Sequence, residues 1–84
     1  KDEFTVSEKI HDLLHMFMDR QSMLFTELFK KAKNKMEMIT IFLALLELIR
    51  LKEVIVLQPT PFAEIEIIKN AESMKPADAP APPQ

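Results

Sequence analysis

The sequence predicts an α+β fold: three helices with a small antiparallel sheet, and then a disordered tail. Three observations point there. Apolar residues recur at helical spacing through the first half of the chain. Near Val54 the pattern changes to a run of β-branched residues, which fits strands. The chain also contains no Gly. Hairpin turns ordinarily take Gly or Asn for positive φ. Here tight turns fall to Pro, Asn, Asp and Ser, so helices and a few strands are favoured over an all-β fold.

Phe4-Thr5-Val6 reads as a short strand or an entry arm. Ser7 is the expected N-cap of a first helix, with acidic Glu8 in the first turn. Ile10, Leu13, Leu14 and Phe17 follow at i, i+3, i+4 and i+7, which places that helix over residues 8–20. Gln21-Ser22 breaks it, and Met23-Leu24-Phe25 is a brief extended piece. Thr26 is the expected cap of a second helix, with Glu27 in its first turn. That helix carries Leu28, Phe29 and Ala32 and ends near Asn34. A third helix runs from about Met36 to Leu51. Val54-Ile55-Val56-Leu57 is a strand, Pro59-Thr60-Pro61 a loop, and Glu64–Lys69 a second strand. The order helix, short strand, helix, helix, strand, loop, strand is that of a winged helix-turn-helix. From Ala71 the text AESMKPADAPAPPQ has too little apolar surface to offset its ordering entropy. Residues 1–70 therefore form the domain and 71–84 the tail.

Composition narrows the function. The 84 residues suffice for one domain with a modest core. Hydrophobic residues at 48% and charged residues at 29% belong to a globular chain. A net charge of −2 gives no global pull toward nucleic acid. No Cys is present, which excludes disulfides and thiolate metal sites and fits a reducing compartment. No apolar run is long enough for a bilayer, since Thr40 and Glu47 bound Ile41–Leu46. The first residue is Lys1 rather than Met, and the chain is expected to be a fragment of a longer protein.

The third helix is the unusual element. Glu37, Thr40, Ala44 and Glu47 share one narrow stripe at 100° per residue. Nearly every other position is apolar. A surface helix buries a stripe a little over ~100° wide, and this one presents about twice that. Much of the face is core in such a fold. So wide a face exceeds what a small domain hides, and the remainder is expected to meet another protein.

Other chemistries are poorly supplied. Groove readers need Arg, Lys, Asn or Gln on an exposed helix face. With the polar stripe outward, this helix offers Glu37, Thr40, Glu47 and only Arg50, and its carboxylates repel phosphate. Lys30, Lys31, Lys33 and Lys35 are the candidates for nonspecific DNA contact, or simply a solvated loop. His11-Asp12-Leu13-Leu14-His15 imitates the H-E-x-x-H metal pattern. Asp12 replaces the catalytic Glu, and only a weak ligand such as Asp19 is at hand to complete a site. No catalytic residue, metal site or cofactor is expected. A metal-dependent hydrolase and a DNA-binding winged helix remain as rival classes to a protein-binding adaptor.

The segment FLALLELIRLKEVIVLQ at residues 42–58, with PFAEIEI at 61–67 and MLFTELF at 23–29, resembles the C-terminal domain of the segregation and condensation protein A family, the prokaryotic kleisins. Phe42, Leu43, Ala44, Leu46, Glu47, Leu48, Gln58, Phe62 and Ile65 carry the likeness, which covers most of residues 7–68. Ala63 departs from the Gly or Ser common after the loop Phe, and the loop lacks the family's acidic residues. The resemblance implies a cytoplasmic, nucleoid-associated winged helix that docks on the ATPase head of an SMC protein. The ring so closed serves chromosome compaction and segregation. A second accessory protein would bind segments absent here, DNA would be met only through the complex, and no membrane is involved. Phe42 and Leu46 are the expected anchors on the SMC head. Ile39 and Leu43 extend them, and Val54, Val56 and Phe62 flank them.

Overall fold

The computed structural model of the chain describes residues 4–71. The elements are α1 (Val6–Met16), β1 (Ser22–Leu24), α2 (Phe25–Phe29), α3 (Lys35–Arg50), β2 (Val54–Leu57) and β3 (Glu66–Lys69). Three helices and one small antiparallel sheet are therefore present, in the order expected. The Pro/Ala-rich tail predicted from Ala71 onward lies outside the described residues except for Ala71 itself.

α1 starts earlier than expected, and its cap explains why. Thr5, not Ser7, is the N-cap: its Oγ1 accepts from the Glu8 amide at 3.0 Å. The Glu8 carboxylate accepts in return from the Thr5 amide at 3.3 Å. This reciprocal capping box needs a Glu or Gln three residues after the cap. Thr5 has Glu8 there, whereas Ser7 has Ile10. The helix closes at Met16, with Phe17 as its C-cap, rather than continuing to Arg20.

α2 is likewise capped from within. It begins at Phe25, and the carboxylate of Glu27 reaches back to accept from the Leu24 amide at 2.8 Å. Thr26 lies inside the first turn and donates its hydroxyl to Glu64 instead. The helix is one turn long and ends at Phe29, well short of Asn34. Asn34 caps α3, its Oδ1 accepting from the Glu37 amide at 2.8 Å.

β3 is the central strand of the order β1-β3-β2, antiparallel to both neighbours. Ile67 sits opposite Met23 on one side and Val56 on the other. β3 begins at Glu66 rather than Glu64. Just ahead of it the Ile65 carbonyl accepts from the Phe25 amide at 2.8 Å, which ties the loop to the start of α2. The core is contiguous: Leu13 and Phe17 from α1, Met23, Leu28, then Ile41, Ala44, Leu45 and Leu48 of α3, with Val54 and Ile67 from the sheet.

The turns depart from expectation in one respect. Among the described residues the two at positive φ are Lys52 (62°) and Phe62 (70°), not Asn, Asp or Ser. Lys52 closes α3. Its amide donates to the Ile49 carbonyl at 3.0 Å and the Glu53 amide to the Leu48 carbonyl at 2.9 Å. That pair of bonds is the Schellman motif, usually built on Gly. Asn70 braces it, donating from its side chain to the Lys52 carbonyl at 2.8 Å. In the loop between β2 and β3, the Gln58 amide side chain donates to the Ala63 carbonyl at 2.8 Å, and the Ala63 amide donates to Thr60 at 3.0 Å.

Candidate partner-docking face

The two sides of α3 are the reverse of an ordinary surface helix. Glu37 and Thr40 are buried, at 7% and 5% exposure, beside fully covered Ala44 and Leu48. The narrow polar stripe thus points inward, contrary to the sequence reading that set it toward solvent. Its polar groups are all satisfied. The Lys9 ammonium of α1 bonds Glu37 Oε2 at 2.6 Å, and the Lys33 amide donates to Glu37 Oε1 at 2.7 Å. These two hydrogen bonds, that from Lys9 the stronger, hold the Glu37 carboxyl below the usual carboxylate range. The Thr40 hydroxyl donates back to the Met36 carbonyl at 2.8 Å. Lys9 lies 28 positions from Glu37, so helical periodicity alone does not reveal the pairing.

What faces outward is apolar. Met38, Ile39, Phe42, Leu43 and Leu46 are each close to half exposed. Of the predicted contact residues, Ile39, Phe42, Leu43 and Leu46 thus lie on one open helix face. Val56 is also exposed, and Phe62 is fully exposed at the loop tip. Val54 is the exception: at 2% exposure it belongs to the core and is unavailable to a partner. β2 adds Ile55 and Leu57, both close to half exposed, on an edge strand.

Few charges interrupt this face. Glu47 is half-buried and bonded by Arg50 through two nitrogens, at 3.1 and 2.5 Å. The pairing lowers the Glu47 carboxyl and raises the Arg50 guanidinium from their ordinary values. The acidic repulsion that the sequence reading set against DNA therefore loses its residues. The outward side chains of α3 from Met38 to Leu46 are apolar and offer no base-reading donors, which argues against base readout by this helix.

The structure adds a feature that the sequence reading missed. α2 and the first half of α3 enclose an open groove of about 840 Å3, walled by Phe25, Phe29, Ala32, Met38, Ile39 and Phe42. Phe25 and Phe29 stand one helical turn apart with ring centroids 4.8 Å from each other. That i, i+4 aromatic spacing was the available signal. Lys30, Lys33 and Lys35 lie along the groove's rim, with Lys31 exposed beside them.

The His pair is a lesser feature. The rings of His11 and His15 lie 5.9 Å apart on the exposed side of α1. No group of three or more metal-binding side chains occurs among the described residues. No helix among them is long and apolar enough to cross a membrane.

Comparisons with known proteins identify a family. The family model described as "Segregation and condensation protein ScpA" matches residues 2–69. The chain is 42% identical over 67 residues to segregation and condensation protein A of Thermoanaerobacter sp. strain X514, covering 80% of this chain and 28% of that protein. It is 39% identical over 67 residues to the same-named protein of Caldanaerobacter subterraneus, with 80% and 27% coverage. Against that of Streptococcus pneumoniae strain Hungary19A-6 it is 35% identical over 72 residues, with 86% and 30% coverage. The chain thus spans less than a third of the length of these relatives. No solved structure matches it. With the family model covering most of the chain, the chain belongs to the segregation and condensation protein ScpA family.

Proposed function

We propose that this chain is the C-terminal winged-helix domain of a ScpA-type kleisin and that it docks on the ATPase head of an SMC protein. The observation that carries this reading is the outer face of α3, where Met38, Ile39, Phe42, Leu43 and Leu46 stand close to half exposed on one helix. Apolar anchors in a desolvated centre dominate most interfaces. Phe42 and Leu46, one turn apart, are the centre. Ile39 and Leu43 widen it, and Val56 and Phe62 flank it. The domain acts by binding and not by catalysis, as one joint of a ring that serves chromosome condensation and segregation. The relatives, named as segregation and condensation proteins, support that role. A second accessory protein would be recruited by parts of the kleisin beyond this chain.

A pull-down against a purified SMC head tests the reading. Leu46→Arg is expected to weaken binding by about 30-fold or more, the scale of a hot-spot residue. Its far-UV circular dichroism should match the wild type. Failure of the wild-type chain to bind the head at micromolar concentration would sink the proposal.

A further inference from the structure

We propose a second docking site, in the groove between α2 and the first half of α3, for an acidic amphipathic helix. The inference does not depend on the SMC reading. It rests on three properties of the groove.

The first is shape and floor. The trough is open, about 840 Å3, and almost wholly apolar. Its size suits several side-chain anchors rather than one. The close Phe25–Phe29 pair makes a stiff wall. Met38 is half exposed, and its unbranched thioether adapts to what is seated on it.

The second is charge. Four lysines fall within residues 30–35, and none of them makes an ion pair among the described residues. The nearest acids are already engaged. Glu27 is held by Arg20 through two bonds of 3.2 Å, and Glu37 by Lys9. This rim is positive although the whole chain carries −2. An occupant with carboxylates along its flanks gains from this charge.

The third is backbone. The groove's lining comes from α2, α3 and the turn joining them. An extended segment would leave its amides and carbonyls unpaired against these walls. A helix satisfies its own backbone and presents anchors at i, i+3, i+4 and i+7, the usual helix-in-groove mode. The lining shares Ile39 and Phe42 with the proposed SMC face but does not include Leu46, so Leu46 distinguishes the two sites.

The test is a nuclear magnetic resonance titration of the chain with a synthetic peptide held helical by a hydrocarbon staple, with Leu at i, i+4 and i+7, a few Glu on the flanks and Ala elsewhere. A Gln-for-Glu version is the control. Saturable micromolar binding is expected, with amide shifts at Phe29, Ala32 and Met38. Raising salt from about 50 to about 300 mM should weaken it about 10-fold. The double variant Lys33→Glu/Lys35→Glu should lose about 10-fold or more with an unchanged circular dichroism spectrum. Leu46→Arg should bind the peptide as the wild type does, which separates this site from SMC docking. The proposal is overturned by no saturable shifts, by equal binding of the Gln peptide, or by loss of binding in Leu46→Arg. Tighter, lysine-dependent binding to duplex DNA or to anionic phospholipid vesicles than to the peptide also overturns it.

Discussion

The inner and outer faces of α3 differ in a direction opposite to most surface helices. The inner face carries Glu37 and Thr40 among Ile41, Ala44, Leu45 and Leu48. The outer face carries Met38, Ile39, Phe42, Leu43 and Leu46. Hydrophobicity therefore does not decide which side of this helix is buried. The inner polar groups are admissible because each has a partner, Glu37 from Lys9 and Lys33 and Thr40 from Met36. A buried carboxylate that is paired and hydrogen-bonded is a weak source of stability and a good source of orientation. Here it ties α1 to α3 on the side opposite the large apolar residues.

Neighbouring substitutions test that contrast most sharply. Leu45→Arg puts an unpaired charge into the core and is expected to abolish cooperative unfolding altogether. Leu46→Arg, one position on, should leave the thermal transition in place. A folded Leu45→Arg protein would mean the two faces are misassigned. The milder pair is Leu48→Ala against Leu46→Ala. The first should cost about 2–5 kcal/mol by urea denaturation. The second should cost about 1 kcal/mol or less, because half of that side chain is already in water.

The buried pair makes a pH-dependent difference. The Glu37 carboxyl titrates below its ordinary value of 4.5 when folded. The unfolded chain thus takes up the proton first as pH falls. Whatever stability Glu37 confers is complete above that ordinary value and is lost as pH drops through the lowered one. Glu37→Gln should therefore lower the urea midpoint at about pH 7, and the gap to wild type should close by about pH 3. A gap that stays constant with pH would assign the loss to packing. Glu27 and Glu47 are shifted the same way and should add to the acid sensitivity. The smallest expected effect is at the end of the helix. Lys52→Gly relieves the left-handed backbone of a residue with a Cβ, and should stabilise by up to about 1 kcal/mol in the same assay.

Element types and order were legible because period and residue class change together at Val54 and because prolines punctuate the second loop. Boundaries were less so. Ser7 and Thr26 are good cap residues by type, but a cap is chosen by its partner three positions on, and Glu8 and Glu27 select Thr5 and Leu24. That part of the third helix would stay uncovered followed from its excess of apolar positions, and the family resemblance pointed to Phe42 and Leu46, which are both exposed. Which side they occupied did not follow. That is decided by a lysine on another helix, and by the close approach at Ala44 that places a fully covered small residue beside the polar pair. The absence of Gly fitted a fold of helices and a few strands, yet it prevented neither the antiparallel β2–β3 connection nor left-handed backbone at Lys52 and Phe62.

The edge strand β2 carries a different kind of consequence. It pairs with β3 alone, so one row of amides and carbonyls stays open beneath Ile55, Val56 and Leu57. Such a ladder invites another chain to add to it. No lysine within Val54–Leu57 blunts it, but Pro59 and Pro61 follow Gln58 and stop the ladder from lengthening. The domain thereby limits its own tendency to aggregate to a ladder four residues long, which keeps the open edge short.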